Sequence, residues 1–346
     1  MRGEVMGAPF EPFKRVTIAV ADPGLSEWGA AERGKSDRNA SDRSASDRSA
    51  PDRHTPDRNA DELIRYARML MAVAPADVSF RFVHVMGRLA STTHRAAMDA
   101  LTRAAARHLG SEVAWECHVR RGDRIDQVLH DVAEWGSDLL VIGHRKRARG
   151  RRSMARRLAM KAPCSLWLVP EGTARPVRRL MVAVDFSEPS AHAAAVAAAL
   201  ARRGHVGHCL VLHVRTTPSA AGDAGDVEAA SAIAQASDEQ AFRRFLTPLE
   251  AELHGVPVST RTIENGSITG AIGRAAVGDG ADVVVVATRG QTRSGTILLG
   301  GEAEQLLAES ASPILVTRPR DDRPGLLEAL LDRAFRPLTD PGRRAG

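Results

Sequence analysis

A chain of 346 residues that is 43% hydrophobic has enough apolar mass to fill two cores of ordinary size. No apolar run is long enough to cross a membrane and the stretch Met1 to Arg15 holds no signal-type segment, so a soluble, cytoplasmic chain with no membrane partner is expected. A single Tyr speaks against stacking platforms for single-stranded nucleic acid, and the net charge of +6 traces to one stretch, Gly143 to Arg157, which holds eight Lys/Arg and no acid.

Residues 1–13 read as an N-terminal tail, followed by the strand Arg15-Val-Thr-Ile-Ala-Val20. Five units then repeat a five-residue pattern: Ser36-Asp-Arg-Asn-Ala40, Ser41-Asp-Arg-Ser-Ala45, Ser46-Asp-Arg-Ser-Ala50, Pro51-Asp-Arg-His-Thr55 and Pro56-Asp-Arg-Asn-Ala60. They contain no apolar residue larger than Ala and cannot bury enough surface to offset their ordering entropy. A disordered, charge-balanced loop over about 30–60 is therefore expected. Strands follow at Phe82-Val-His-Val85, Ser137-Asp-Leu-Leu-Val-Ile142 and Ala162-Pro-Cys-Ser-Leu-Trp-Leu-Val169. In the second half, strands are predicted near 179–184, 209–214, 256–262, 281–286 and 313–317, and helices near 189–202, 228–253, 267–277 and 301–310. Fifteen extra residues fall within Thr216 to Ser237, where small residues and Gly dominate, and read as a flexible loop before a helix. Past Pro319-Arg-Asp-Asp-Arg-Pro324, Leu326, Leu327, Leu330, Leu331, Ala334 and Phe335 recur at helical spacing, giving a C-terminal tail, 319–346, with a short helix that packs on its own chain.

The two halves repeat one plan. Arg15-Val-Thr-Ile-Ala-Val20 matches Arg179-Leu-Met-Val-Ala-Val184 at an offset of 164, and Phe82-Val-His-Val85 matches Val211-Leu-His-Val214 at 129. The strand at 137–142 matches 281–286 at an offset of 144, and that at 162–169 matches 310–317 at 148. The order of matches is kept, which marks a tandem duplication. Continuous Val/Ile/Leu runs, without alternation, indicate strands buried on both faces, as in a parallel sheet covered by helices. The fold class is α/β: two tandem doubly wound domains, 14–171 and 175–318, each a five-stranded, mostly parallel sheet flanked by helices.

In such a sheet, ligands bind beyond the carboxyl ends of the strands where strand order reverses. Two such ends stand out: Asp185, directly after Met181-Val-Ala-Val184, and the turn Ala287-Thr-Arg-Gly-Gln-Thr-Arg-Ser-Gly-Thr-Ile-Leu-Leu-Gly-Gly301. Gly290 and Gly300 remove side chains where backbone must approach a ligand, and the N–H groups opening a helix near Gly301 suit an anion. This is phosphate-binding chemistry without a catalytic base.

With these residues in place, the chain resembles a tandem universal stress protein over nearly all of 14–318. Nucleotide-binding members of that family carry Gly, two residues, Gly, nine residues, Gly, then Ser or Thr. In this chain Ala287 occupies the first position, Thr288 and Arg289 the spacers, and Gly290 the second Gly. Gly300 is the third, and Gly301 replaces the Ser/Thr. The family's adenine-contacting Asp corresponds to Asp185, and its Val at the end of the second strand to Val214. The resemblance implies ATP or a related adenine nucleotide as ligand of the second half, with Mg only as its companion. The extra methyl at Ala287 and the missing hydroxyl at Gly301 weaken binding, the hydroxyl alone by about 1 kcal/mol. It also implies that the halves form an internal pseudo-dimer through their last strands, 165–169 and 313–317. Association of two chains into a homodimer is left open.

The first half departs further from the pattern. Gly143 matches the first Gly, but Lys146 replaces the second, Ser153 follows too early, and Ala21, with Asp22 beside it, stands opposite Asp185. The arginine cluster reads first as a solvated or salt-bridged loop, second as a candidate anion site made of Gly143, Arg145, Lys146, Arg152 and Ser153, and last as a nucleic-acid contact.

Other candidates read as structural. Cys117, Cys164 and Cys209 lack any close pair or metal spacing and are small core hydrophobes. His84 and His213 repeat at the end of the second strand as hydrogen-bonded core or edge residues, Asp138 and Asp282 start the fourth strands, and Ser187-Glu-Pro-Ser190 opens a helix. No nucleophile elbow, Walker loop or Gly-x-Gly-x-x-Gly after a strand occurs, so neither a catalytic residue nor a metal ligand is assigned. A stress-response nucleotide-binding protein is the first functional reading, and a non-nucleotide-binding adaptor or dimerisation protein of the same fold the second.

Overall fold

The computed structural model describes residues 13–20, 58–73, 77–109, 113–144, 154–173, 175–204, 206–215, 224–287, 310 and 312–319. The first half contributes β1 (Arg15–Val20), α1 (Arg58–Val73), β2 (Ser79–Met86), α2 (His94–His108), β3 (Trp115–Arg121), α3 (Arg124–Trp135), β4 (Leu139–His144), α4 (Met154–Lys161) and β5 (Ser165–Pro170). The second contributes β6 (Arg179–Val184), α5 (Glu188–Arg203), β7 (His208–Arg215), α6 (Ala224–Leu246), α7 (Glu250–Leu253), β8 (Val258–Glu264), α8 (Ile268–Gly278), β9 (Val283–Ala287) and β10 (Ile314–Thr317).

The strands form a ten-stranded sheet in the order β3-β2-β1-β4-β5-β10-β9-β6-β7-β8. Eight of its pairings are parallel, and β5 with β10, where the halves meet, is antiparallel. The two five-stranded units expected from the sequence are thus joined edge to edge, which removes one open edge from each. Side chains alternate between faces but both faces are covered. Val141 belongs to the same core layer as Leu63, Ile64 and Ala67 of α1, whereas its neighbours Leu140 and Ile142 belong to the opposite layer with Val128 and Val132 of α3. Each core layer runs across the seam into the second half.

Both halves anchor the first strand with the same device. Asp138 Oδ2 accepts from the backbone N–H of Lys14 and Arg15 at 2.9 and 3.1 Å, and Asp282 Oδ2 from those of Arg178 and Arg179 at 2.8 and 3.0 Å. The glycines Gly136 and Gly280, one offset of 144 apart, each take positive φ (67° and 62°) to turn the chain out of α3 and α8 toward these Asp residues.

Two expectations are corrected. The loop reading of about 30–60 runs too far, because α1 starts at Arg58 inside the last five-residue unit. The buried stripe Leu63, Ile64, Ala67, Leu70 and Met71 docks on the sheet, and a docked helix extends readily backward through polar residues of adequate propensity. The single helix read over 228–253 is broken by a 3-10 turn at Thr247–Leu249, where Pro248 lacks the N–H that would continue the α ladder. The remaining five-residue units, the helix at 301–310 and the tail helix beyond Pro324 lie outside the described residues.

Candidate functional site at the switch point of the second half

From β6 the chain winds outward through β7 to β8, then returns to the other side of β6 as β9, so strand order reverses between β6 and β9. The register pairs Val182 with Val285; continued to the strand ends it sets Val184 beside Ala287. On the other flank Val184 pairs with His213, one residue before Val214. Asp185, Val214 and Ala287 therefore stand together at the carboxyl ends of three adjacent strands, the edge at which doubly wound sheets hold ligands. Ala287 is the last residue of β9, paired with Thr317, and not part of the following turn. Arg289, Gly290, Gly300 and Gly301 lie outside the described residues.

The segment after β6 is built with care. Asp185 is half-buried, and its Oδ1 accepts from both the backbone N–H and the hydroxyl of Ser187, at 3.1 and 2.5 Å. Ser187 in turn caps α5, accepting from Ser190 N–H at 3.3 Å, with Pro189 in the first turn as the sequence suggested. The carboxylate is thereby oriented by a helix N-terminus, whose dipole favours its charge. Between them Phe186 adopts φ 61°, left-handed backbone that a bulky residue takes up only when its surroundings hold it there. The surroundings are aromatic: the Phe186 ring lies 4.5 Å from His213, 5.1 Å from Phe242 and 5.6 Å from Phe245. His213 Nδ1 donates to the carbonyl of Val184 at 2.9 Å, and His84 Nδ1 pairs with that of Val20 at 3.2 Å. The repeated histidines thus tie the end of the first strand to the second, a structural role.

Phe186 and its cage were not singled out from the sequence. The one signal was Phe242 and Phe245, three apart on a helix and so on one face, but their partner across the sheet edge is set by the fold.

In the first half Gly143 lies within β4, paired with Val169, at the position equivalent to Ala287; Ala21, Asp22, Arg145, Lys146, Arg152 and Ser153 lie outside the described residues. Gly143 is therefore a strand residue and not the opening of a turn.

A second polar constellation belongs to α3 and the sheet edge. Asp131, fully buried, accepts from His118 Nδ1 at 2.5 Å and Arg120 Nε at 2.8 Å, and Arg81 Nη1 lies 3.6 Å from its other oxygen. Arg81 stacks 4.4 Å over the Trp135 ring. Burial pushes the Cys209 thiol up to about 12 and raises that of Cys117, the opposite of an activated nucleophile. Among the described residues no group of three or more His, Cys, Asp or Glu is placed to hold a metal ion, and no helix is long and apolar enough to cross a membrane.

Compared with known proteins, the chain matches the sequence model of the Universal stress protein family twice, over residues 40–170 and 176–318. It is 32% identical over 148 residues to the "Universal stress protein in QAH/OAS sulfhydrylase 3'region" of Thermus aquaticus, an alignment covering 41% of this chain and 98% of that one. Among solved structures, a universal stress protein from Archaeoglobus fulgidus aligns at a TM-score of 0.54 and 13% identity, covering 91% of this chain and 99% of that one. A functionally unknown protein from Pseudomonas aeruginosa aligns at 0.59 and 16%, covering 92% and 98%. At such identities the structural likeness bears on the fold alone.

Proposed function

The chain belongs to the universal stress protein family, and on that premise we propose that it is a stress-response binding protein whose second half takes ATP or a related adenine nucleotide weakly. The observation that carries this reading is the juxtaposition of Asp185, Val214 and Ala287 at the switch point, directly before the glycine turn. Asp185 contacts the adenine, Val214 walls the base, and the backbone around Arg289, Gly290, Gly300 and Gly301 cradles the phosphates. Mg enters only as the companion of a bound triphosphate. The two units, 14–171 and 175–318, differ in this respect, since the first keeps neither the second Gly nor the spacing. No group at the switch point is assigned as a base for water, so the activity proposed is binding and not hydrolysis.

Titration calorimetry with millimolar ATP on the full chain tests the proposal. Binding heat that is lost in Asp185→Ala and in Gly290→Asp is the expected result. No heat in the parent chain, or heat unchanged in both variants, overturns it and favours an adaptor of the same fold. That second reading draws on Ala287, whose buried methyl occupies the position of the family's first glycine.

A further inference from the structure

At the opposite end of the second-half sheet from Asp185, where β5 finishes and β6 has yet to begin, the structure contains an open surface groove of about 400 Å³. Its walls carry three guanidinium groups, those of Arg65 and Arg68 on α1 and of Arg175 from the segment joining the halves. The apolar part of the wall is Tyr66, Met69 and Pro176.

The charges around it are not balanced. Glu62, the only acid in the lining, accepts from the backbone N–H of Gly172 at 2.9 Å, and Arg175 is paired to Asp282 at 3.0 Å. Arg65 and Arg68 are exposed, and among the described residues neither meets a carboxylate. Three apart on one helix, they share a face and repel one another. Tyr66, 1% exposed, backs the same wall, its ring meeting that of Trp167 edge-on at 5.9 Å. Burial pushes the Tyr66 phenol well above its usual range, so it stays a neutral donor.

Two unpaired planar guanidiniums match the oxygens of a phosphate, which they can grip through paired N–H groups. An open groove of about this volume has room for a small organic molecule, and its apolar wall offers nothing to a bare inorganic ion. We propose that it is a site for a small organic phosphate, held at the phosphate by Arg65 and Arg68 and along its apolar body by Met69 and Pro176, with Tyr66 directly behind that wall. A ligand seated there touches both α1 and the segment leading into β6, and so braces the first half against the second.

Tyr66 is the chain's only tyrosine, so the full-length protein grown with 3-fluorotyrosine gives one fluorine resonance that reports this wall. The probe is phenyl phosphate, with phenol as control. The expected result is a saturable shift with Kd of about 1 mM or below, weakened tenfold or more in Arg65→Gln/Arg68→Gln, weakened by salt, and unchanged in Asp185→Ala. A resonance that stays still to about 10 mM phenyl phosphate, or that phenol moves equally well, overturns the proposal. So does a shift that survives the double arginine change. Those arginines are exposed, and a free resonance at the parent position verifies that the variant is folded. Because Asp185→Ala acts only on the nucleotide reading, failure there leaves this result independent.

Discussion

Trp167 of β5 stands directly opposite Leu315 of β10 in the antiparallel seam, and the two occupy the same position of the duplicated unit. The pseudo-twofold axis of the molecule therefore passes between them. Leu166 with Val316 and Leu168 with Ile314 complete the pairing, and Ser165 Oγ accepts from Arg318 N–H at 3.1 Å. All six strand residues are buried, so the seam is core and not surface.

Trp167→Ala should cost about 3–5 kcal/mol of stability, because a large side chain is removed from a layer shared by both halves. Trp167→Phe, which keeps the aromatic edge toward Tyr66, should lose much less. Urea unfolding followed by far-UV circular dichroism measures both, and equal midpoints for Trp167→Ala and the parent chain would contradict a seam that carries load.

The paired anchors Asp138 and Asp282 lead to a symmetrical expectation. Each Ala variant strips an acceptor from two backbone N–H groups at the mouth of β1 or β6, at a cost of about 1.5–3 kcal/mol. Asn, which keeps one carbonyl oxygen, should recover part of it. A midpoint insensitive to Asp282→Ala would show that Arg178 and Arg179 find water equally good.

Asp131 offers a test that uses the duplication as its control. Its counterpart in the second half is Ala275, and those of Arg81 and Arg120 are Leu210 and Ile263. Asp131→Ala alone removes the buried carboxylate shared by Arg81, Arg120 and His118, leaving Arg81 only the more exposed Glu116 and Arg120 only the more exposed Glu134, and should cost about 1.5–3 kcal/mol. Adding Arg81→Leu and Arg120→Ile, the solution already present in the other half, should return stability to within about 1 kcal/mol of the parent. If the triple variant is no better than the single one, the buried charges are not the source of the loss.

Alkaline pH should destabilise the protein through Cys209. Burial raises the thiol from 9.0 to about 12, so the folded state holds its proton where the unfolded chain releases it. The stabilising contribution is complete below pH 9 and is lost as pH rises toward 12; at pH 10.5 the loss is about 2 kcal/mol. Urea midpoints at pH 8 and pH 10.5 should therefore fall less in Cys209→Ala than in the parent chain. Parallel declines in both would assign the alkaline sensitivity elsewhere.

Local pattern carried the strands and their order in the chain. Val16, Ile18 and Val20, or Val283 to Val286, announce buried strands because a strand covered on both faces admits no polar alternation. The place of Asp185 and Ala287 at the carboxyl ends of β6 and β9 was legible because each closes or directly follows a buried apolar run. What was not legible depends on residues distant in the chain. Phe186 looks like any loop aromatic until Phe242, Phe245 and His213 close around it. Arg65 and Arg68 look like an ordinary solvated face until Arg175, over a hundred residues later, completes the wall.

By itself the sequence determined that the chain is a duplicated α/β unit and that the two copies differ in the glycine spacing after their fourth strands. These follow from local hydrophobic runs and from spacing within single turns, both of which are properties of short segments. Only the tertiary structure decided the register of the joined sheets, that Trp167 and Leu315 lie on their axis, and that a basic groove opens where one half passes into the other. Such features rest on which strand edge finds which partner, a choice made by the free energy of the whole fold and written in no single segment.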